Sequence, residues 1–194
     1  MTESPYLRTS DLERAFLDAS VLRSRYTSAV LLSLADQDIF EPRWTQRVVD
    51  ELRRTGVPDQ RIARMNQAFE RAMIEPPPRG LHDEVRATPK YQHVLAGAVQ
   101  SKSQVLVTGS RTEFDPPSTG PYAMRVEGVN QFLNRKLEED PHRVLDGLQT
   151  VLAGSGRERA TLATLIIAPD GEHELRSFAE KLNAAQAEVL SGGT

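Results

Sequence analysis

Cysteine is absent from the sequence. Its absence excludes disulfide bonds, zinc sites built from thiolates and cysteine nucleophiles. Long hydrophobic runs are also missing, since none approaches the roughly 18 residues that a membrane-spanning helix needs. The first residues lack the basic and apolar regions of a secretion signal. We therefore expect a cytoplasmic protein with no membrane partner.

A strong charge of either sign is missing as well. The 194 residues carry a formal net charge of −3, and 39% of them are hydrophobic and 26% charged. This composition predicts one ordinary globular domain, with room for an appendage. A near-neutral charge does not indicate a nucleic-acid-binding protein. It does not exclude a nuclease either, because the acids of a nuclease can be gathered at a metal site.

The stretch Arg14–Leu22 predicts a short buried strand, with apolar residues up to Leu17 and again after a polar break. Asp18 falls where this strand should end. In an open parallel sheet, ligands bind in the crevice at the carboxyl ends of the strands. We therefore favour a site role for Asp18. The alternative is an aspartate that forms a turn or caps a helix.

Alternating strand and helix patterns follow and predict an α/β fold with a mainly parallel central sheet between helical layers. The predicted domain covers about residues 1–130, and an α-helical C-terminal extension covers 131–194. The predicted elements are a helix over Tyr26–Asp36, a strand at Ile39–Phe40 closed by Pro42, a helix over Gln46–Thr55 capped by Thr45, a helix capped by Asp59 and reaching Met73, an extended connector at Glu75–Gly80, a helix over Lys90–Lys102, strands at Gln104–Thr108 and Tyr122–Val126, and helices at about 129–139, 141–153, 157–168 and 171–189.

Four segments resemble the PIN domain family in their order and spacing. Within that family the chain looks most like the VapC-like bacterial toxins that carry a helical C-terminal extension. The motifs cover about residues 14–130, whereas the extension is similar only in general character. The four segments are Phe16–Leu22, Leu32–Leu52, His93–Ala98, and Val105–Gly109 followed by Glu113 and Phe114.

The resemblance implies a three-layer PIN fold and a metal-dependent endoribonuclease, the toxin of a type II toxin–antitoxin pair. Its partners would be an RNA substrate, a small antitoxin protein and, as an option, a second copy of the chain. Its cofactor would be Mg²⁺ or Mn²⁺, which hard carboxylate oxygens bind well. Such an ion activates water and offsets the charge of the phosphate that is cleaved.

The family's acidic residues map onto this chain with one departure. Asp18 and Glu51 occupy the first two acidic positions, and Glu113 occupies the fourth. These three are the implied catalytic and metal-binding residues. Tyr91 stands at the third acidic position, and a neutral phenol does not replace a carboxylate for Mg²⁺. We therefore expect weakened metal binding. Ser110 stands where the family often has asparagine.

Several residues have a second interpretation. Glu51 is alternatively a solvated helix residue, and Tyr91 either packs over the cleft or donates a hydrogen bond to a phosphate. His93 is interpreted as a residue of a helix start rather than a ligand, and the buried aromatic residues Trp44 and Phe40 as core. The candidates for contact with substrate phosphate are Ser20, Arg23, Arg25 and Ser110.

The sequence is also compatible with two other functions. The departure at Tyr91 allows a catalytically impaired PIN-like module that binds RNA or a protein without cleaving. The helical extension allows an interaction protein whose working part is a stripe of Leu145, Leu148, Val151 and Leu152. That stripe would cover the cleft, form a dimer or receive an antitoxin.

Overall fold

A computed structural model describes residues 12–116, 120, 122–154 and 175–191 of the chain. Within these residues the strands are β1 (Arg14–Leu17), β2 (Glu41–Thr45), β3 (Met73–Ile74), β4 (Val105–Val107) and β5 (Arg125–Glu127). The helices are α1 (Ala19–Arg23), α2 (Arg25–Asp36), α3 (Gln46–Arg54), α4 (Asp59–Ala68), α5 (Arg79–Glu84), α6 (Gln92–Gln100), α7 (Val129–Glu139), α8 (Pro141–Gly154) and α9 (Arg176–Ser191). A single 3₁₀ turn covers Arg111–Glu113.

The strands form one sheet in the order β3-β2-β1-β4-β5, and every neighbouring pair is parallel. Helices flank this sheet, so the predicted α/β class and its parallel central sheet are confirmed. The central strand β1 is fully buried from Ala15 to Leu17. The strand ends there, and Val21 and Leu22, predicted to continue the buried stretch, lie in α1. Asp18 is thus the first residue beyond the central strand.

The second strand was predicted at Ile39–Phe40 with Pro42 as its end, and this prediction was wrong. The strand runs from Glu41 to Thr45 and contains Pro42. The amide of Glu41 donates to Glu13 of the β1 side, so the neighbouring Pro42 nitrogen points the other way. On that side β3 begins to pair only at Trp44. Proline is tolerated because no hydrogen bond is needed at its position.

The helix predicted from Asp59 to Met73 is shorter than expected. It ends at Ala68, and Met73 begins β3. Asp59 is the first helical residue rather than the cap, and its carboxylate pairs with Arg53 at 3.0 Å. Apolar residues at helical spacing continue beyond Ala68, which is why the helix was predicted to be longer. The pairing of Met73 with β2 instead makes these last residues a strand.

The remaining boundaries differ from the predicted ones by a few residues. The helix predicted over Lys90–Lys102 is α6, from Gln92 to Gln100, and the strand predicted at Tyr122–Val126 is β5. A short helix, α5, begins inside the predicted connector Glu75–Gly80. The Thr45 cap is confirmed, because its side chain accepts a hydrogen bond from the Val48 amide.

Helix α6 packs very closely on the sheet. A Cβ atom added at Gly97 would lie 2.7 Å from Cζ of Phe16 and 3.0 Å from Cγ2 of Thr45. The ring of Phe16 is fully buried on the central strand, so it has no space to withdraw. Only glycine permits this approach, which brings the start of α6 to the carboxyl edge of the sheet.

The C-terminal helices share one hydrophobic core with the sheet. Helix α8 packs against α2, α9 packs against α7, and Phe132 meets Phe40 edge-on at a centroid distance of 4.9 Å. The predicted helix at 157–168 and the side chains of Val151 and Leu152 lie outside the described residues. In the described ranges, no helix is both long enough and apolar enough to cross a bilayer.

A partly buried network of ion pairs connects α7 to β5. The guanidinium of Arg135 contacts Glu127 at 3.0 Å and Glu139 at 2.7 Å. Glu127 is only 2% exposed, and besides Arg135 its carboxylate pairs with Arg125 at 3.1 Å. The carboxylates raise the pKa of Arg135 against the opposing effect of its burial. Lys136 completes the network through Glu13 at 2.8 Å.

Candidate functional site

Asp18 lies at the carboxyl edge of the sheet, immediately after the central strand. Its amide donates to the carbonyl of Val107 at 3.1 Å, which ties it to the end of β4. Thr108 follows that neighbouring strand, as Asp18 follows β1. Asp18 is 2% exposed and Thr108 is fully buried. The parallel sheet therefore places both side chains in one crevice, as the sequence predicted for Asp18.

Two hydroxyl groups orient the carboxylate of Asp18. Ser20 Oγ donates to Oδ2 at 2.7 Å, and Thr108 Oγ1 donates to the same oxygen at 2.8 Å. The Gly109 amide in turn donates to Ser20 Oγ at 3.0 Å. Within the described residues, Oδ1 accepts no hydrogen bond, so it is the oxygen left for a ligand. The hydroxyl of Ser20, predicted to contact phosphate, is used to hold Asp18.

Glu51 and His93 meet beside this crevice. Glu51 lies on α3 and His93 on α6, and their side chains approach to 3.9 Å between Oε2 and Nε2. His93 is 6% exposed, and neither ring nitrogen makes a hydrogen bond of normal geometry in the described structure. Burial, together with the nearby charge of Arg47, lowers the pKa of His93 from 6.5 to about 4. Asp18 and the backbone of Lys90 act in the opposite direction. The imidazole is therefore neutral at neutral pH.

Tyr91 and Ser110 form a neutral pair where the family pattern has an acid and an asparagine. Tyr91 Oη and Ser110 Oγ lie 3.2 Å apart. The Tyr91 ring packs edge-on against Phe114 at a centroid distance of 5.4 Å, and Lys90 Nζ lies 5.1 Å from its centre. The packing interpretation of Tyr91 is thus confirmed for its ring, and a hydrogen bond from its hydroxyl to a phosphate stays a prediction.

The side chain of Glu113 binds Thr88 outside the crevice. It ends the 3₁₀ turn after β4, and its Oε2 accepts a hydrogen bond from Thr88 Oγ1 at 2.8 Å. The Thr88 amide also donates to the Glu113 carbonyl at 3.0 Å. These bonds join two loops. In the arrangement described, they engage Glu113 with Thr88 rather than with Asp18.

The side chains around Asp18 carry atoms that can bind a divalent cation, but they are not arranged as a metal site. The residues nearest the crevice offer the free oxygen of Asp18, the carboxylate of Glu51 and the neutral imidazole of His93, a set that suits Mn²⁺ better than Mg²⁺. However, the described part of the chain contains no group of three or more such side chains placed to hold one ion. Glu51 is the more accessible of the two acids, with 28% of its side chain exposed, whereas Asp18 is 2% exposed.

Two arginines predicted to contact phosphate, Arg23 and Arg25, are exposed at the far end of α1. A third arginine that the sequence did not single out, Arg61, is fixed beside them. It donates to the carbonyls of Leu22, Arg23 and Ser24 at 2.6 to 3.0 Å. Such bonds to the last carbonyls of a helix stabilise its C-terminus. No local pattern marks Arg61, because its partners lie about forty residues earlier in the chain.

No known family model, curated protein or solved structure matches this chain. The geometry joins Asp18, Ser20 and Thr108 directly and places the pair of Glu51 and His93 beside them.

Proposed function

We propose that this protein is a PIN-like, metal-dependent endoribonuclease, the toxin of a pair whose second member is a small antitoxin protein. The observation that supports this most is the position of Asp18. A buried carboxylate stands at the carboxyl end of the central parallel strand, with one oxygen fixed by two hydroxyls and the other free. The cytoplasm, where RNA is abundant, is the proposed site of action, and a homodimer is the proposed alternative to a monomer.

Asp18 and Glu51 are the residues that would hold Mg²⁺ or Mn²⁺, with Glu113 as a third ligand only if it leaves Thr88. When bound, the ion supplies activated water and charge compensation for the phosphate. The chain's own contribution is orientation. Ser20 and Thr108 fix Asp18, and the neutral ring of His93 excludes water from one side of Glu51. The hydroxyls of Tyr91 and Ser110 are donors within reach of a phosphate at this edge.

The test is cleavage of a mixed RNA pool with Mn²⁺, with Mg²⁺ and with a chelator. We expect slow cleavage that requires the metal and is lost in Asp18→Asn, which keeps the size of the side chain and removes its charge. Glu138→Gln is the matched control, because Glu138 is an exposed carboxylate on α7. Cleavage by Asp18→Asn at the native rate would refute the proposal.

A second function is supported by the pairing of Tyr91 with Ser110 and by the spacing of the acids. In this version the protein is a catalytically impaired module that binds RNA without cleaving it. Titration calorimetry with Mn²⁺ separates the two versions. For either version we expect Tyr91→Asp to bind Mn²⁺ at least tenfold more tightly, because it restores an anionic ligand. Tight binding by the native chain would exclude the impaired module, and an unchanged affinity in Tyr91→Asp would exclude the assignment of this position to the metal site.

A further inference from the structure

A groove of about 410 Å³ lies between α2 and α4, away from the crevice that holds Asp18. Its volume is at the lower end of the range for small-ligand sites. Gly147 of α8 also lines it. Neither the motifs nor the proposed chemistry of Asp18 and Glu51 assigns a role to this groove.

One end of the groove is positively charged. Arg25 begins α2, and Arg61 and Arg64 lie one turn apart on α4. Arg61 is held rigidly, since in addition to its carbonyl partners it donates to Ser28 Oγ at 2.5 Å. Burial and the nearby charge of Arg25 both lower the pKa of Arg61, so the two cations are close enough to repel. Neither Arg25 nor Arg64 has an ion pair within the described residues.

Among the described residues, the single acid in the lining stands at the opposite end. Asp36 is eleven residues after Arg25 on α2, which corresponds to about 16 Å along the helix. Between the two ends the walls are apolar and include Leu32, Met65 and Phe69. Phe69 is half-buried, and its ring packs edge-on against Trp44. The groove therefore pairs an anion-binding end with an apolar surface that ends in an aromatic ring.

We propose that this groove binds one nucleotide of a single-stranded RNA, with the phosphate at Arg25, Arg61 and Arg64 and the base against Leu32 and Phe69. Arg25 and Arg64 suit phosphate because a planar guanidinium donates two hydrogen bonds at once. Arg61, whose Nη atoms donate to protein oxygens, contributes its positive charge. Aromatic side chains bind the bases of single strands by stacking, whatever the base. Asp36 is an acceptor for the amino group that three of the four bases carry.

The position of the groove relative to Asp18 supports an RNA chain rather than a free nucleotide. Helix α1 starts directly after Asp18 and ends at the carbonyls that Arg61 binds. Its five residues span about 8 Å. A short length of RNA backbone covers this distance, so one chain can occupy the crevice and the groove together. This inference rests on the proposal that RNA is the substrate, but it does not require that the RNA is cleaved.

Fluorescence anisotropy with a labelled single-stranded 12-mer RNA, in the presence of a chelator, tests the proposal without metal or cleavage. The double variant Arg25→Gln/Arg64→Gln should bind at least tenfold more weakly than the native full-length chain. Its salt dependence should be shallower by about 0.7 for each phosphate contact that is lost. Both side chains are exposed, so the fold should persist, as circular dichroism would verify.

The control Arg54→Gln/Lys102→Gln removes the same charge from exposed positions outside the groove lining. It should bind nearly as well as the native chain. Native affinity in the groove variant, equal losses in the two variants, or equally tight binding of the same sequence as a duplex would each overturn the proposal. An unaffected RNA affinity together with a protein partner that the groove variant no longer binds would also overturn it.

A second measurement locates the base. RNA carrying 5-iodouridine should form a photochemical cross-link to a peptide that contains Phe69, and mass spectrometry would identify the peptide. Cross-links confined to peptides outside α2 and α4 would contradict the proposal. Failure of the nuclease proposal would leave these binding results intact, so the two failures are distinguishable.

Discussion

His93 should make the stability of the fold fall at mildly acidic pH. Its pKa is lowered to about 4 in the folded chain and returns to about 6.5 when the chain unfolds. Below pH 6.5 the unfolded chain therefore binds the proton first, and stability is lost as the pH falls towards 4. A difference of this size corresponds to about 3 kcal/mol in full, of which about 2 kcal/mol should be lost by pH 5.

Several elements set this pKa. The charges come from Arg47 on α3, Asp18 after β1 and His82 on α5, and the backbone of Lys90 raises the pKa. Glu51 of α3 also faces the ring, at 3.9 Å. Urea unfolding of the native chain and of His93→Gln, at pH 7 and at pH 5 with a chelator, isolates the histidine because the other groups are common to both. The stability advantage of the native chain over the variant should shrink by about 2 kcal/mol at pH 5. His142→Gln, at an exposed position on α8, should leave the pH dependence unchanged. A difference between native and His93→Gln that is the same at both pH values would refute the reasoning.

Two further predictions concern packing and buried charge. Gly97→Ala should destabilise the fold by about 2 kcal/mol in a urea titration, because an overpacked core costs more than the gain in helix propensity. Gly80→Ala, where the added Cβ meets nothing within 4 Å, should be neutral or slightly stabilising, and a similar loss in both variants would contradict the packing argument. Glu127→Gln should cost about 3 kcal/mol, because it leaves the partly buried Arg135 without its buried anionic partner. Glu138→Gln removes an exposed pair and should cost less than about 1 kcal/mol, so equal losses would show that burial of Glu127 is unimportant.

The parts of the fold that the sequence predicted are those with strong local signals. The buried run of β1, the Thr45 cap and the helix that follows it depend on residues next to each other in the chain. The errors arose where distant pairing decided the outcome. Pro42 is inside a strand because β3 does not reach its outer side, and Met73 leaves its helix to pair with Trp44. Neither fact is encoded within a few residues of the position concerned.

For the candidate site too, local signals gave correct predictions, and contacts between distant residues were not predicted. Asp18 was located correctly from its place after a buried strand, since the edge of a parallel sheet follows from strand order alone. The partner of Glu113 could not be predicted, because Thr88 is twenty-five residues away and reaches it only through the folding of two loops. His93 was interpreted as a helix-start residue, and it does lie in the first turn of α6. Its contact with Glu51 depends on how tightly Gly97 lets α6 approach the sheet, which periodicity does not measure.

Helix α1 shows why an arginine outside the crevice matters to the crevice itself. A helix of five residues is too short to be stable alone, so its position must be fixed by its ends. At its start, the carbonyl of Asp18 accepts from the amides of Val21 and Leu22 while the side chain is held by Ser20. At its end, Arg61 donates to the carbonyls of Leu22, Arg23 and Ser24. The orientation of Asp18 and the position of Arg61 are therefore both set by α1. A substitution at one end of this helix should alter the side-chain position at the other end.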